Sequence, residues 1–180
     1  VKFPKLKWDK DLAEQAQLYA DYLATEAQDY IDNVDTGPPT KIHSEAITNT
    51  FKHGYIDADN KRRPLYPTKK NPAAKYPEKF GQNLAMGTKN TDSGSVSTLT
   101  KLWLKECLNC DDNDYCESGK TSQQVGHYTQ SIWKNSKAIG CGLAQNKGDN
   151  FLVCNFKGKY LDCGTFHGYI NSGLKISKRK

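Results

Sequence analysis

The chain has 180 residues, the size of one domain. Apolar residues make up 36% of it, enough to bury roughly 70% of the surface its unfolded form exposes, yet no run of about 18 of them occurs, which excludes a membrane-spanning helix. The formal charge of +6 attracts anionic lipid surfaces or sulfated glycans, while the absence of any nucleic-acid-binding motif excludes nucleic acid as the partner.

The opening "VKFPKLKWDK" has no apolar stretch of the signal-peptide kind, so it reads as a mature or trimmed form. From Trp8 to Ala27 the residues Leu12, Ala16, Tyr19, Leu23 and Ala27 recur at steps of four and three. That spacing predicts an amphipathic helix, with Asp9 as its cap. From about Tyr30 to Lys79 the chain is rich in proline and charge, which predicts long loops and short helices, one of them around Ser44 to Phe51. The basic run "KRRPLYPTKK", Lys61 to Lys70, lies here, and a second basic stretch closes the chain at residues 173–180.

"TDSGSVSTLTKLWLKEC" reads as a turn and then a helix capped by Ser95 or Ser97. Leu99, Leu102, Trp103 and Glu106 fall along one side of it. An unpaired carboxylate on an apolar seam costs several kcal/mol, roughly, when buried. Glu106 therefore either lies at the seam's edge in water or meets a partner in a cleft.

"AIGCGLAQNKGDNFLVCNF" predicts a β-hairpin. Ile139, Cys141 and Leu143 alternate on one strand, and Leu152, Cys154 and Phe156 on the next. Folding the chain about Lys147 and Gly148 sets Cys141 opposite Cys154, and that symmetry predicts a Cys141–Cys154 disulfide. Gly148 is the residue expected to supply a left-handed turn conformation. Six cysteines, all after residue 106, point to an oxidising compartment and hence to secretion. Cys107, Cys110, Cys116 and Cys163 admit three pairings; Cys110–Cys116 as a small loop closure, with Cys107–Cys163, is the favoured one.

"GHYTQSIWKNSKAIGCG", Gly126 to Gly142, resembles the first signature of the CAP superfamily, which comprises cysteine-rich secretory proteins, insect antigen 5 and plant pathogenesis-related proteins. "FLVCNF" resembles the first half of its second signature. "KFGQNLAMG" resembles its Gly-Glu-Asn element, with Gln82 where glutamate is usual. "WLKE" and "KIHSE" resemble its Trp-x-x-Glu and His-Ser elements. The similarity runs from Leu6 to about Gly164. Its departures are a missing first helix, Pro39 where relatives carry a cysteine, and a large insertion.

The resemblance implies an α+β fold, a three-layer α-β-α sandwich with a mainly antiparallel central sheet and long loops. One domain over 1–180 is expected, with an extended insertion at about 45–79. A cleft is implied that bears His43 and His127 as metal ligands, with Glu106 and Gln82 beside them. The ion would be Zn²⁺ or a similar one, with Glu106 orienting a ligand or a water. The competing reading is a solvated polar cleft that only holds helices and loops together. Thr129, Gln130 and Trp133 read as structural braces. His53 and His167 read as surface histidines, although His53 could compete with His43 for the cleft. No nucleophile stands beside a base, so a non-enzymatic, secreted binding protein is expected, and the similarity to parasitic nematode venom-allergen-like proteins implies one that acts on host immunity. Its expected ligands are a lipid (sterol or fatty acid) or a host protein. The alternative is a metal-dependent, protease-like hydrolase using the same cleft.

Overall fold

The computed structural model describes residues 5–33, 51–64, 80–110, 124–133 and 135–158. A short strand β1 (Lys7–Trp8) leads into the long helix α1 (Lys10–Asn33). Asp9 caps that helix, its Oδ1 accepting from Leu12 N at 3.1 Å. Leu12, Ala16, Tyr19, Leu23 and Ala27 are all buried, as the seam predicts, and the helix runs six residues past Ala27.

Two short strands follow, β2 (Gly54–Ile56) and β3 (Arg62–Pro64), paired antiparallel. They occupy the stretch that the sequence marks as an insertion, yet β2 is buried and Ile56 joins the main core. The predicted helix from Ser44 lies mostly outside the described residues. Part of the basic run does not face a partner. Arg63 Nε binds Asp57 Oδ2 at 2.6 Å, and Arg62 Nε donates to Tyr19 Oη at 3.3 Å.

The main sheet has the order β1-β5-β6-β4, built from β4 (Gly81–Thr88), β5 (Ser136–Gln145) and β6 (Asp149–Gly158). Only β1 runs parallel to its neighbour. Helix α2 (Val96–Lys105) precedes a 3₁₀ turn (Glu106–Asn109), and a one-turn-and-a-half helix α3 (Gly126–Ser131) precedes β5. Ser95, not Ser97, caps α2, accepting from Thr98 N.

Strand periodicity sorts the core into two layers. On one face Leu84, Phe151 and Val153 pack against Ala16, Tyr19 and Leu23 of α1. On the other, Ala85, Leu152, Cys154 and Phe156 pack against Leu99 and Trp103 of α2. The sheet thus lies between helices, an α-β-α arrangement, and β6 is buried on both faces. Each large side chain so covered contributes roughly 1.5–3 kcal/mol.

The hairpin has the predicted register: Ile139 opposite Phe156, Cys141 opposite Cys154, Leu143 opposite Leu152. Cys141 and Cys154 are bonded across it, with Cα atoms 4.1 Å apart. The turn differs from the expectation. Gly148 does not take a left-handed conformation. Instead the Asn146 carboxamide oxygen accepts from Gly148 N (2.8 Å) and Asp149 N (2.6 Å), and the side chain does the work expected of the glycine.

The Gly-Cys-Gly run has a packing cause. A Cβ on Gly142 would stand 2.3 Å from Gln17 Cα, and one on Gly140 2.2 Å from Ala13 N. Two glycines therefore let α1 lie directly on β5, while Cys141 between them points to the opposite layer and its disulfide.

Candidate functional site

Glu106 caps the C-terminal end of α2, and His127 is the second residue of α3. The fold brings them together. Glu106 Oε1 lies 2.6 Å from His127 Nδ1, and Oε2 accepts from His127 N (2.9 Å) and Tyr128 N (3.1 Å). The carboxylate side chain is only 12% exposed. Of the two readings open for Glu106, the structure takes the one with a partner. Three protons, two of them from the start of α3 where the backbone carries partial positive charge, offset its desolvation.

The rest of the predicted seam is divided. Leu99 and Trp103 are buried, whereas Leu102 is 45% exposed. Trp103 stacks on the His127 ring, centroids 6.2 Å apart, and its Nε1 donates to Leu84 O at 2.9 Å. Asn83 on β4 donates to His127 O (3.0 Å) and to Ser131 Oγ (3.1 Å), so α3 is pinned to the sheet. Ser131 Oγ in turn donates to His127 O. Thr129 and Gln130 are buried, in keeping with a bracing role.

Gln82, next to Asn83, turns to the other side. Its Nε2 donates to Gly54 O (2.9 Å) and Asn155 Oδ1 (3.0 Å), and its Oε1 accepts from Gly54 N (3.2 Å) and His53 Nδ1 (3.1 Å). This fixes more than the amide. The Gly54 backbone offers one donor and one acceptor, so the carboxamide has one correct orientation. Asn155 is likewise set by its donation to Leu12 O. Oε1 must then face His53, and His53 Nδ1 must carry the proton. Glu106 imposes the same tautomer on His127; the Gln124 carboxamide lies 3.2 Å from that Nδ1, on the rim, where with Nδ1 protonated an amide oxygen belongs.

Burial pushes the His53 imidazole down to about 4; its bond to Gln82 opposes the shift, and the charge of nearby His127 adds to it. The ring is therefore neutral at physiological pH. His53, expected at the surface or in competition with His43 for the cleft, is half-buried beside Gln82 and within electrostatic reach of His127. His43 lies outside the described residues. A signal for His53 existed in "HGYI": a glycine and two apolar residues directly after the histidine suit a buried strand.

Among the described residues, no three His, Cys, Asp or Glu groups gather closely enough for a metal centre of protein donors alone. Two imidazoles of the right tautomer nevertheless match the preference of Zn²⁺ and its neighbours for neutral nitrogen. Apart from the cleft, a shallow groove of 360 Å³ runs between α1 and the hairpin tip, lined by Asp21, Asp29, Asn146 and Lys147 among others.

The expected Cys107–Cys163 bridge is not made: Cys107 is a free, half-buried thiol. The 3₁₀ turn that carries Glu106 sets Cys107 near Tyr128, whose hydroxyl pKa is raised by burial first and by the neighbouring sulfur second. Elimination among four cysteines took no account of that placement. Cys110 is disulfide-bonded, and its expected partner Cys116 lies outside the described residues.

A model of the cysteine-rich secretory protein family (CAP) matches residues 1–156. The chain belongs to that family. Venom allergen 5 of Polistes gallicus is 36% identical to this CAP chain over 87 residues, 45% of this chain and 42% of that protein. Venom allergen 5 of Polistes fuscatus is 40% identical over 99 residues, 49% and 44% of the two lengths. The chain thus spans less than half the length of these relatives. Among solved structures, venom allergen-like protein 4 of Schistosoma mansoni aligns over 89% of this chain and 72% of that one, at 20% identity and a TM-score of 0.47. No described helix is long and apolar enough to cross a membrane.

Proposed function

We propose that this CAP chain is a secreted binding protein whose cleft holds a divalent metal ion on His127 and His53. The observation that carries the reading is the pair of imidazoles, each held at Nδ1 by a side-chain oxygen, Glu106 Oε1 for His127 and Gln82 Oε1 for His53. Such outer partners are what orient metal-binding histidines elsewhere. Bound there, an ion such as Zn²⁺ supplies a positively charged anchor for a ligand. The ligand is a lipid (a sterol or a fatty acid) or a host component, and the biological role is immunomodulatory, in keeping with kinship to venom allergens and to venom-allergen-like proteins of parasitic worms. Lys61 and the exposed basic residues add attraction to an anionic surface or glycan.

A metal-dependent hydrolase is the second reading, and the hydrogen bonding disfavours it. A general base needs a free lone pair aimed at water, and both Glu106 oxygens are engaged. Ser131, the hydroxyl nearest His127, donates to a backbone carbonyl instead of to an imidazole.

Calorimetric titration of Zn²⁺ tests the metal. Binding should be lost in His127→Ala and in His53→Ala and kept in His43→Ala. Loss only in His43→Ala would return the site to the ligand pair that the sequence resemblance implies. Native mass spectrometry of co-purified lipid, with a sterol pull-down, tests the ligand class. Zinc-dependent peptide cleavage abolished by Glu106→Ala would favour the hydrolase.

A further inference from the structure

The chain as a whole is basic, yet the groove between α1 and the tip of the β5–β6 hairpin is acidic. Ala24 and Ala144 form its floor, both buried, and their small size leaves room between helix and hairpin for a volume of 360 Å³. That is the size of a small-ligand site. Asp21 and Asp29 stand exposed on the α1 wall. The cation of the lining, Lys147, is already matched, its Nζ lying 3.2 and 3.4 Å from the two Asp32 oxygens. Asp21 accepts only from the neutral amide of Gln17. Two carboxylates on this wall thus have no cation among the described residues.

A second feature of the groove says what else a ligand must carry. Asn146 also lines it and is only 8% exposed. Its Oδ1 is committed to Gly148 N and Asp149 N in the turn, which directs Nδ2 away from those amides. Nδ2 is buried and has no acceptor among the described residues. A buried donor left unpaired is costly, and a carbonyl oxygen would relieve it.

Spacing narrows the class further. Asp21 and Asp29 are eight residues apart on one helix, about 12 Å along its axis. In an extended chain, side chains four residues apart point to the same face and stand roughly 13–14 Å from each other. A linear polyamine could reach both carboxylates but offers no carbonyl to Asn146. A peptide offers both.

We propose that this groove binds an extended basic peptide segment. Two lysine or arginine side chains four residues apart pair with Asp21 and Asp29, and a main-chain carbonyl accepts from Asn146 Nδ2. The site is separate from the two histidines and needs no metal ion.

Titration of ¹⁵N-labelled, metal-free protein followed by NMR tests it. The probe is a capped peptide of threonines with two lysines four residues apart. The same peptide with glutamine for lysine, and spermidine, are the controls. The lysine peptide should shift the side-chain amide signal of Asn146, and neither control should. Asp21→Asn with Asp29→Asn, both at exposed positions, should weaken peptide binding about tenfold, as two partly exposed ion pairs would. Raising salt from about 0.05 to about 0.5 M should weaken it as well. A lysine peptide that leaves Asn146 unmoved overturns the proposal, and so does an equal response to the glutamine peptide. Spermidine shifting Asn146 as far as the peptide does would remove the carbonyl from the recognition and with it the peptide. Unchanged affinity in the double variant would show that the carboxylates take no part. The peptide and spermidine arms use the wild-type chain, so a variant that folds poorly cannot blur the outcome.

Discussion

His127 and His53 are held by opposite means. On the α2–α3 side a carboxylate does it: Glu106 grips the His127 ring and the amides of His127 and Tyr128, the second and third of α3. On the β4–β2 side a neutral amide does it: Gln82 grips His53 and both backbone groups of Gly54. The charged side joins two helices and is worth more when it is broken. The neutral side joins an inserted hairpin to the sheet, and there burial, against the pull of Gln82, keeps the ring uncharged. The difference shows that one tautomer can be enforced with or without a charge, and that only the charged version stakes much of the stability on a single residue.

Glu106→Ala should have the largest effect. It removes the acceptor of three protons in a nearly closed space, and losing one partner of such a buried set costs about 3–5 kcal/mol. Urea unfolding measures it. A loss below about 1 kcal/mol would mean that water replaces the carboxylate and that the two sides are not so different.

Acid should act on the neutral side. The folded value of about 4 for His53 lies below its ordinary 6.5, so as pH falls the unfolded chain takes up the proton first. The stability that His53 contributes is whole above about pH 6.5 and drains away as pH falls toward 4, by about 3 kcal/mol in all. Unfolding free energy measured across that window should fall steeply in wild type and more gently in His53→Gln. Equal slopes would place His53 in water. Gln82→Leu should cost somewhat less at neutral pH, about 2–3 kcal/mol. It leaves the Gly54 amide and carbonyl unpaired, and in metal-free protein it should free the His53 tautomer, visible as a shift in the ¹⁵N resonances of that ring.

Those two sides also differ in how they were legible. Glu106 could be picked out as an acid on an apolar helical seam, and His127 through the family signature in which it stands. The hairpin was legible down to its register because alternation and one turn centre determine every pairing, including Cys141 with Cys154. His53 was less so, because the glycine and two apolar residues after it are a weak sign of a buried strand; what covers β2 is Tyr19, Leu12 and β4, distant in sequence. The pairing assigned to Cys107 failed for the same reason. Leu102 fits the helical seam on paper, but the core takes only Leu99 and Trp103 of α2 and leaves it exposed. Gly140 and Gly142 were read as part of a signature, and their cause, the close approach of α1, is again tertiary.

The smallest expected effect serves to separate the cleft from its scaffold. Ser95→Ala removes the cap of α2, the helix whose far end carries Glu106, and should cost about 1 kcal/mol. Ten residues of helix lie between the cap and Glu106, and Leu99 and Trp103 anchor that helix in the core. Loosening its start should therefore lower the unfolding midpoint without changing the pH slope, the His53 ring resonances or the binding of an ion. If Ser95→Ala alters any of those three as Gln82→Leu does, the cleft's properties follow global stability, and the distinction between its charged and neutral sides would have to be abandoned.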